Sequence, residues 1–162
     1  MKPGIVAFAF GTPATIFSNR RLAEIATGWA KELEAPVYTQ RDISLGGDVE
    51  FEYAEETFEP PPTLRMAREA VHWAVTRGIG ELYVVAATPH RDRCLRDLRV
   101  AADEAGVEIG IFGCLPTPEE YVEDAWFCLD SADPSTRSAR AWWRRERVVR
   151  LMPLSLYKRV AS

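Results

Sequence analysis

Residues 82–93 read LYVVAATPHRDR. The six-residue apolar run Leu82–Ala87 does not alternate with polar residues, which is the pattern of a strand buried on both faces. It empties into Thr88-Pro89-His90, and a proline at this point suits the first turn of a helix, whose N–H groups have no intrahelical partner. The helix predicted to follow runs to about Ala105, with Leu95, Leu98, Ala101 and Ala102 inward and Gly106 as its stop. A further strand is predicted over Val107 to Phe112.

The same alternation of strand and helix extends toward the N-terminus. Gly4 to Phe10 is a short apolar run ended by Gly11-Thr12-Pro13. Leu22, Ile25, Ala26, Trp29, Ala30 and Leu33 then recur at helical spacing, with Ser18 or Asn19 expected to cap the first turn. Pro36 opens a second apolar run, Val37 to Ile43, and Gly46-Gly47 precedes Val49–Tyr53, which alternates with period two. That alternation predicts a half-exposed edge strand, pairing as a hairpin with the second run. Pro60-Pro61-Pro62 reads as a loop. Thr63 is a natural cap for a helix whose stripe is Met66, Ala67, Ala70, Val71, Ala74 and Val75. Beyond Cys114 a looser stretch runs to Pro134, and a basic final helix is expected from about Ser135.

Short connections between alternating strands and helices predict a mostly parallel sheet covered on both faces, a three-layer α/β/α sandwich. The length of 162 residues fits one domain spanning 1–162, with the basic C-terminal helix and tail, 135–162, packed on it. An apolar run such as Ile5 to Phe10 is far short of the ~20 residues that cross a bilayer, and no secretory signal is visible. No transmembrane segment is expected, and the expected location is cytoplasmic. Cys94, Cys114 and Cys128 form no CxxC pair and read as small buried hydrophobes.

The formal charge of −4 is unevenly spread. From Arg137 onward there are eight Lys/Arg and one Glu, a local +7 that leaves −11 on the preceding residues. Trp142-Trp143-Arg144-Arg145-Glu146-Arg147 mixes aromatics with cations, as at an acidic membrane surface or a nucleic acid. The commoner arrangement buries the Trp side chains against the protein's own body or a second copy in a homodimer and leaves the arginines in solvent. Nucleic acid is not the expected partner.

In open α/β sheets ligands collect outside the carboxyl ends of the strands, where helix N-termini favour anions. This rule selects Gly11, Thr12, Ser18, Asn19, Arg20 and Arg21 after the first strand, and Arg41 and Asp42 after the second. It also selects Glu56, Glu59 and Thr63 before the second helix, and Thr88, His90, Arg91 and Arg93 after the central strand. His90 supplies an imidazole that titrates near neutrality and is the candidate catalytic acid/base. Arg93 supplies a planar fork for phosphate or carboxylate. Arg20 and Arg21 face either the cleft or Glu24. His72, beside Trp73 in mid-helix, reads as structural. Two histidines at this separation give no metal set, and neither a GxxxxGK[ST] loop nor a GxSxG elbow is present.

Four elements in order resemble the YdcF/SanA/ElyC-like family, a bacterial α/β domain of unknown function: Ser18-Asn19-Arg20-Arg21-Leu22 after the first strand; Glu56 or Glu59 and then Thr63; Thr88-Pro89-His90-Arg91-Asp92-Arg93 after the central strand; and Arg145-Glu146 in the last helix. The likeness covers most of residues 4–112 and, loosely, the final helix, while the middle is shortened to Ser44-Leu45-Gly46-Gly47. It implies a Rossmann-like sheet and a cleft for an anionic or nucleotide-like small molecule, of S-adenosylmethionine or another nucleotide type, lined by Arg21, Thr63, His90 and Arg93. Gly11, Thr12 and Thr88 complete the candidate ligand-binding set. One alternative is a tetrapyrrole metal-chelatase type of enzyme, although the first strand ends in Phe10-Gly11-Thr12 without the histidine such enzymes place there. Another is a non-enzymatic interaction protein that works through its basic tail.

Overall fold

A computed structural model describes residues 1–55, 62–114 and 123–161, with residues 123 and 124 described by backbone only. Two apolar runs form neighbouring central strands, β1 (Pro3–Ala7) and β4 (Glu81–Val85). They pair in parallel with Ile5 opposite Tyr83 and Ala7 opposite Val85. β2 (Val37–Thr39) flanks β1 on its other side, β3 (Phe51–Tyr53) lies beyond β2, and β5 (Gly110–Gly113) lies beyond β4. The five strands are all parallel and ordered β3-β2-β1-β4-β5.

Side chains on the central strands alternate between two helical layers. Ile5, Ala7, Val37 and Val85 pack against α1 (Phe17–Leu33) through Leu22, Ala26 and Ala30. Val6, Phe8, Leu82 and Val84 pack against α2 (Thr63–Thr76) and α3 (Thr88–Ala105) through Ala67, Ala70, Cys94 and Leu98. Both sheet faces are thus buried, as the unalternating sequences of β1 and β4 require, and the molecule is an α/β/α sandwich. Burying each such aliphatic or aromatic side chain stabilises the fold by roughly 1.5–3 kcal/mol relative to exposure.

The half-exposed alternation of β3 marks an edge strand, but the predicted hairpin with β2 does not form. Val37 pairs with Phe51 and Thr39 with Tyr53 in parallel. The chain between them, residues 40–50, makes the parallel return without a helix. The predicted caps are also replaced. α1 and α2 are preceded by Ile16 and Pro62 at their cap positions, with no side-chain cap bond at either. The single C-terminal helix expected from Ser135 is broken at Met152-Pro153 into α4 (Ala139–Leu151) and α5 (Leu154–Val160), after a short 3-10 turn at Pro134–Thr136. Glu56, Glu59, Pro60 and Pro61 lie outside the described residues.

Trp142 of α4 and Tyr157 of α5 are buried against the body. Trp142 Nε1 donates to Pro89 O (3.2 Å), the Tyr157 hydroxyl donates to the buried carboxylate of Asp97, and Lys158 Nζ lies 2.7 Å from Glu104 Oε1. No helix among the described residues is long and apolar enough to cross a membrane.

Candidate functional site

The strand order reverses between β1 and β4: the chain leaves β1 toward β2 and β3, then returns to fill the other side. With α1 on one face and α3 on the other, the two loops that follow β1 and β4 diverge and leave a crevice at their carboxyl ends. A cavity of about 800 Å³ lies there. Its floor is Phe8–Thr12 after β1, with Gln40 after β2. Thr63 in the first turn of α2, with His90 and Arg93 at the start of α3, forms one wall; Asp133, Thr136, Trp142, Arg145 and Tyr157 from the C-terminal segment form the other.

The floor is held by side chains that the sequence offered as helix caps. Asn19 Oδ1 accepts the Phe10 N–H (2.9 Å), and its Nδ2 donates to Gly11 O and Pro13 O. Ser18 Oγ donates to Phe10 O (2.9 Å). Gln40 Oε1 accepts the Ala9 N–H (2.9 Å). Gly11 has φ +88°, and a Cβ there would lie 2.5 Å from Ser131 Oγ and 2.6 Å from Thr136 Oγ1. Glycine is needed for both backbone angle and space, because the C-terminal segment is laced onto this loop. Ala132 N–H donates to Thr12 O (2.8 Å), and Ser131 Oγ accepts the Thr12 N–H (3.3 Å).

His90 is the centre of the site. It is only 6% exposed, and its ring is enclosed by Phe8, Phe10 and Trp142 at centroid distances of 6.3, 6.1 and 5.3 Å. Nε2 lies 3.1 Å from Thr63 Oγ1, while Nδ1 is buried with no hydrogen-bond partner. Burial above all, then the positive charges of Arg93 and Arg145, hold its pKa well below the ordinary value near 6.5; the Ala9 backbone pulls weakly the other way. His90 is therefore a neutral imidazole at pH 7. When the Thr63 hydroxyl donates to Nε2, Nδ1 carries the proton and offers an N–H; with the proton on Nε2, Nδ1 is an acceptor.

One turn further along α3, Arg93 is 7% exposed. Its Nη1 lies 3.1 Å from Oε2 of Glu146, itself 2% exposed, and its guanidinium sits 5.0 Å from the centre of the Trp142 ring. This ion pair is not a hydrogen bond, which leaves Glu146 Oε2 without a hydrogen-bond partner, and Arg93 Nε has none either. Glu146 Oε1 takes a long contact from Arg150 Nε at 3.5 Å. Arg145 Nη1 donates to Ser135 Oγ (2.9 Å) and lies 3.8 Å from Asp133 Oδ2. Neither α2 nor α3 has a side chain capping its first turn, so both turn their positive ends toward the cavity without competition from a cap.

Of the sequence-selected residues, the structure brings Gly11, Thr12, Thr63, His90 and Arg93 onto one cavity. Thr88 and Arg21 are not among them. Thr88 Oγ1 accepts the indole N–H of Trp126 (3.2 Å), and Arg21 turns along α1 to Glu24, at 2.5 Å. Arg20 is exposed, and Arg41 lies over the Tyr53 ring at 5.3 Å. His72 is exposed on α2 and outside the cavity. Burial pushes the Cys94 thiol far up and that of Cys114 up to about 12, which leaves neither as a nucleophile. Sequence reading missed Phe8, Phe10, Gln40, Asp133, Thr136, Trp142 and Tyr157. For Trp142 a signal existed: Trp142, Glu146 and Val149 recur at i, i+4, i+7, the spacing of an inward stripe.

Among the described residues no group of three or more His, Cys, Asp or Glu side chains is placed to hold a metal ion. No protein-family model matches the chain, and no curated protein matches it.

Proposed function

We propose that the crevice between β1 and β4 binds an anionic, nucleotide-like small molecule, as the YdcF/SanA/ElyC-like resemblance implies. The observation that carries this reading is a pair of side chains lining one cavity, His90 and Arg93, each with a buried nitrogen, Nδ1 and Nε, that makes no well-formed hydrogen bond within the protein. Leaving a buried polar group unsatisfied costs about 1–3 kcal/mol, and such groups in a folded protein call for an explanation. A ligand that supplies both partners removes that cost. Its anionic character follows from Arg93, Arg145 and the two helix N-termini. The aromatic sides formed by Phe8, Phe10 and Trp142 suit a flat apolar portion. The volume, about 800 Å³, lies within the roughly 300–1,000 Å³ of small-molecule sites.

His90 is the group best placed to exchange a proton with this ligand, since a neutral buried imidazole can accept one without first losing another. Thr63 orients the ring through Nε2. Arg93 is the clamp for the negative group, with S-adenosylmethionine and other nucleotides the first ligands to try. Thermal-shift titration with nucleotides, S-adenosylmethionine and sugar phosphates tests the reading. At least one of these is expected to raise Tm in the wild type and to lose that effect in Arg93→Met. No stabilisation by any of them, or equal stabilisation of the variant, overturns it.

A further inference from the structure

α4 has two faces of opposite character. Trp142, Glu146 and Val149 point inward; Arg140, Arg144, Arg147, Val148 and Leu151, at i, i+4, i+7, i+8 and i+11, share the outward face and, Arg140 to Leu151, are all exposed. Beyond the Met152-Pro153 break Leu154, Leu156 and Arg159 are also exposed. Four of the ten large apolar side chains exposed among the described residues, Val148, Leu151, Leu154 and Leu156, belong to this stretch outside the cavity wall, and Leu151 is 84% exposed. Arg140, Arg144 and Arg147 form no ion pair among the described residues.

We infer that the outward surface of α4 and α5 is a docking face for an anionic lipid bilayer. Aliphatic side chains collected beside unpaired arginines match the acyl and headgroup zones of such a surface. The uneven charge adds direction: a +7 tail is drawn to anionic headgroups while a body at −11 is repelled, so the tail faces the bilayer. A nucleic acid would use the arginines and leave the leucines in water, since its interfaces are polar. A second copy would have to offer free carboxylates. Five of the body's carboxylates are held within the chain: Glu24 by Arg21, Asp48 by Lys31, Glu50 and Glu52 by Arg77, and Glu104 by Arg68 and Lys158.

Co-sedimentation of the full chain with vesicles tests this, using pure phosphatidylcholine against phosphatidylcholine doped with phosphatidylserine. The protein is expected to pellet with the anionic vesicles, less so as salt rises. One cation near such a surface changes partition roughly fivefold, so Arg140→Gln/Arg144→Gln/Arg147→Gln together should weaken binding about a hundredfold. Leu151→Ser/Leu154→Ser/Leu156→Ser should weaken it about tenfold or more. All six side chains are exposed and outside the cavity wall, so circular dichroism and Tm should match the wild type. Failure to pellet with anionic vesicles overturns the inference. So does binding that the arginine changes abolish and the leucine changes leave intact, which points to a polyanion, or a dimer in light scattering that the leucine changes dissolve.

Discussion

At the scale of single residues, His90 carries the most information because its environment contradicts its chemistry. An imidazole that titrates near neutrality in water is sealed among three aromatic rings and beside two guanidinium groups, with one nitrogen unsatisfied. Its folded-state pKa is depressed, so on acidification the unfolded chain takes up this proton first. The contribution of His90 to stability is therefore intact above about pH 6.5 and declines as pH falls from there toward the folded-state pKa. Urea unfolding of the wild type and of His90→Gln between pH 7 and pH 5 should differ in slope by up to about 1.4 kcal/mol per pH unit. Parallel pH profiles for the two proteins would mean that His90 titrates in the native state as it does in the unfolded chain, and profiles that diverge in the opposite sense would mean that it is charged there. The imidazole was legible in the sequence as a site residue; its burial was not, because Phe8, Phe10 and Trp142 converge on it from both ends of the chain.

At the scale of elements, the local patterns named the five strands and the first four helices, but not every direction, nor the break that sets α5 apart from α4. Leu82–Ala87 and Ile5–Phe10 lack alternation, and both proved to be central strands buried on both faces. The alternating Val49–Tyr53 marked an edge strand correctly, yet period-two alternation is identical in parallel and antiparallel pairs, so the hairpin expectation had no local signal to correct it. Ser18, Asn19 and Thr63 were read as caps for a related reason. Their side chains turn instead to the Phe10–Pro13 loop and to His90, partners that only the tertiary structure supplies. α4 is where these long-range partners matter most. It brings a carboxylate, Glu146, into contact with the buried Arg93. Glu146→Ala leaves that cation without its counter-charge and is expected to cost about 3–5 kcal/mol in urea unfolding, whereas Arg93→Met/Glu146→Leu should recover most of the loss. A cost below about 1 kcal/mol for the single change would mean that Arg93 reaches solvent and that α4 is not the wall described.

At the scale of the whole molecule, the fold places a definite chemistry at a definite point. A parallel sheet whose strand order reverses between β1 and β4 opens a crevice at their carboxyl ends, and two uncapped helix starts face it. The C-terminal segment closes the crevice from the other side. Five of the sequence-selected residues, Gly11, Thr12, Thr63, His90 and Arg93, meet there because they follow strand ends or open helices, positions that the sequence pattern marks. Arg21 and Thr88 occupy similar positions but turn to partners of their own, Glu24 and Trp126. The central claim is that an anionic ligand completes the unsatisfied imidazole. Nitrogen-15 NMR of the two histidines at pH 7 tests it most directly, with the exposed His72 as internal comparison. The account predicts a neutral His90 ring whose Nδ1 resonance shifts on addition of a nucleotide or S-adenosylmethionine while His72 stays unchanged. A His90 imidazolium at pH 7, or an Nδ1 resonance that none of these ligands moves, would contradict it.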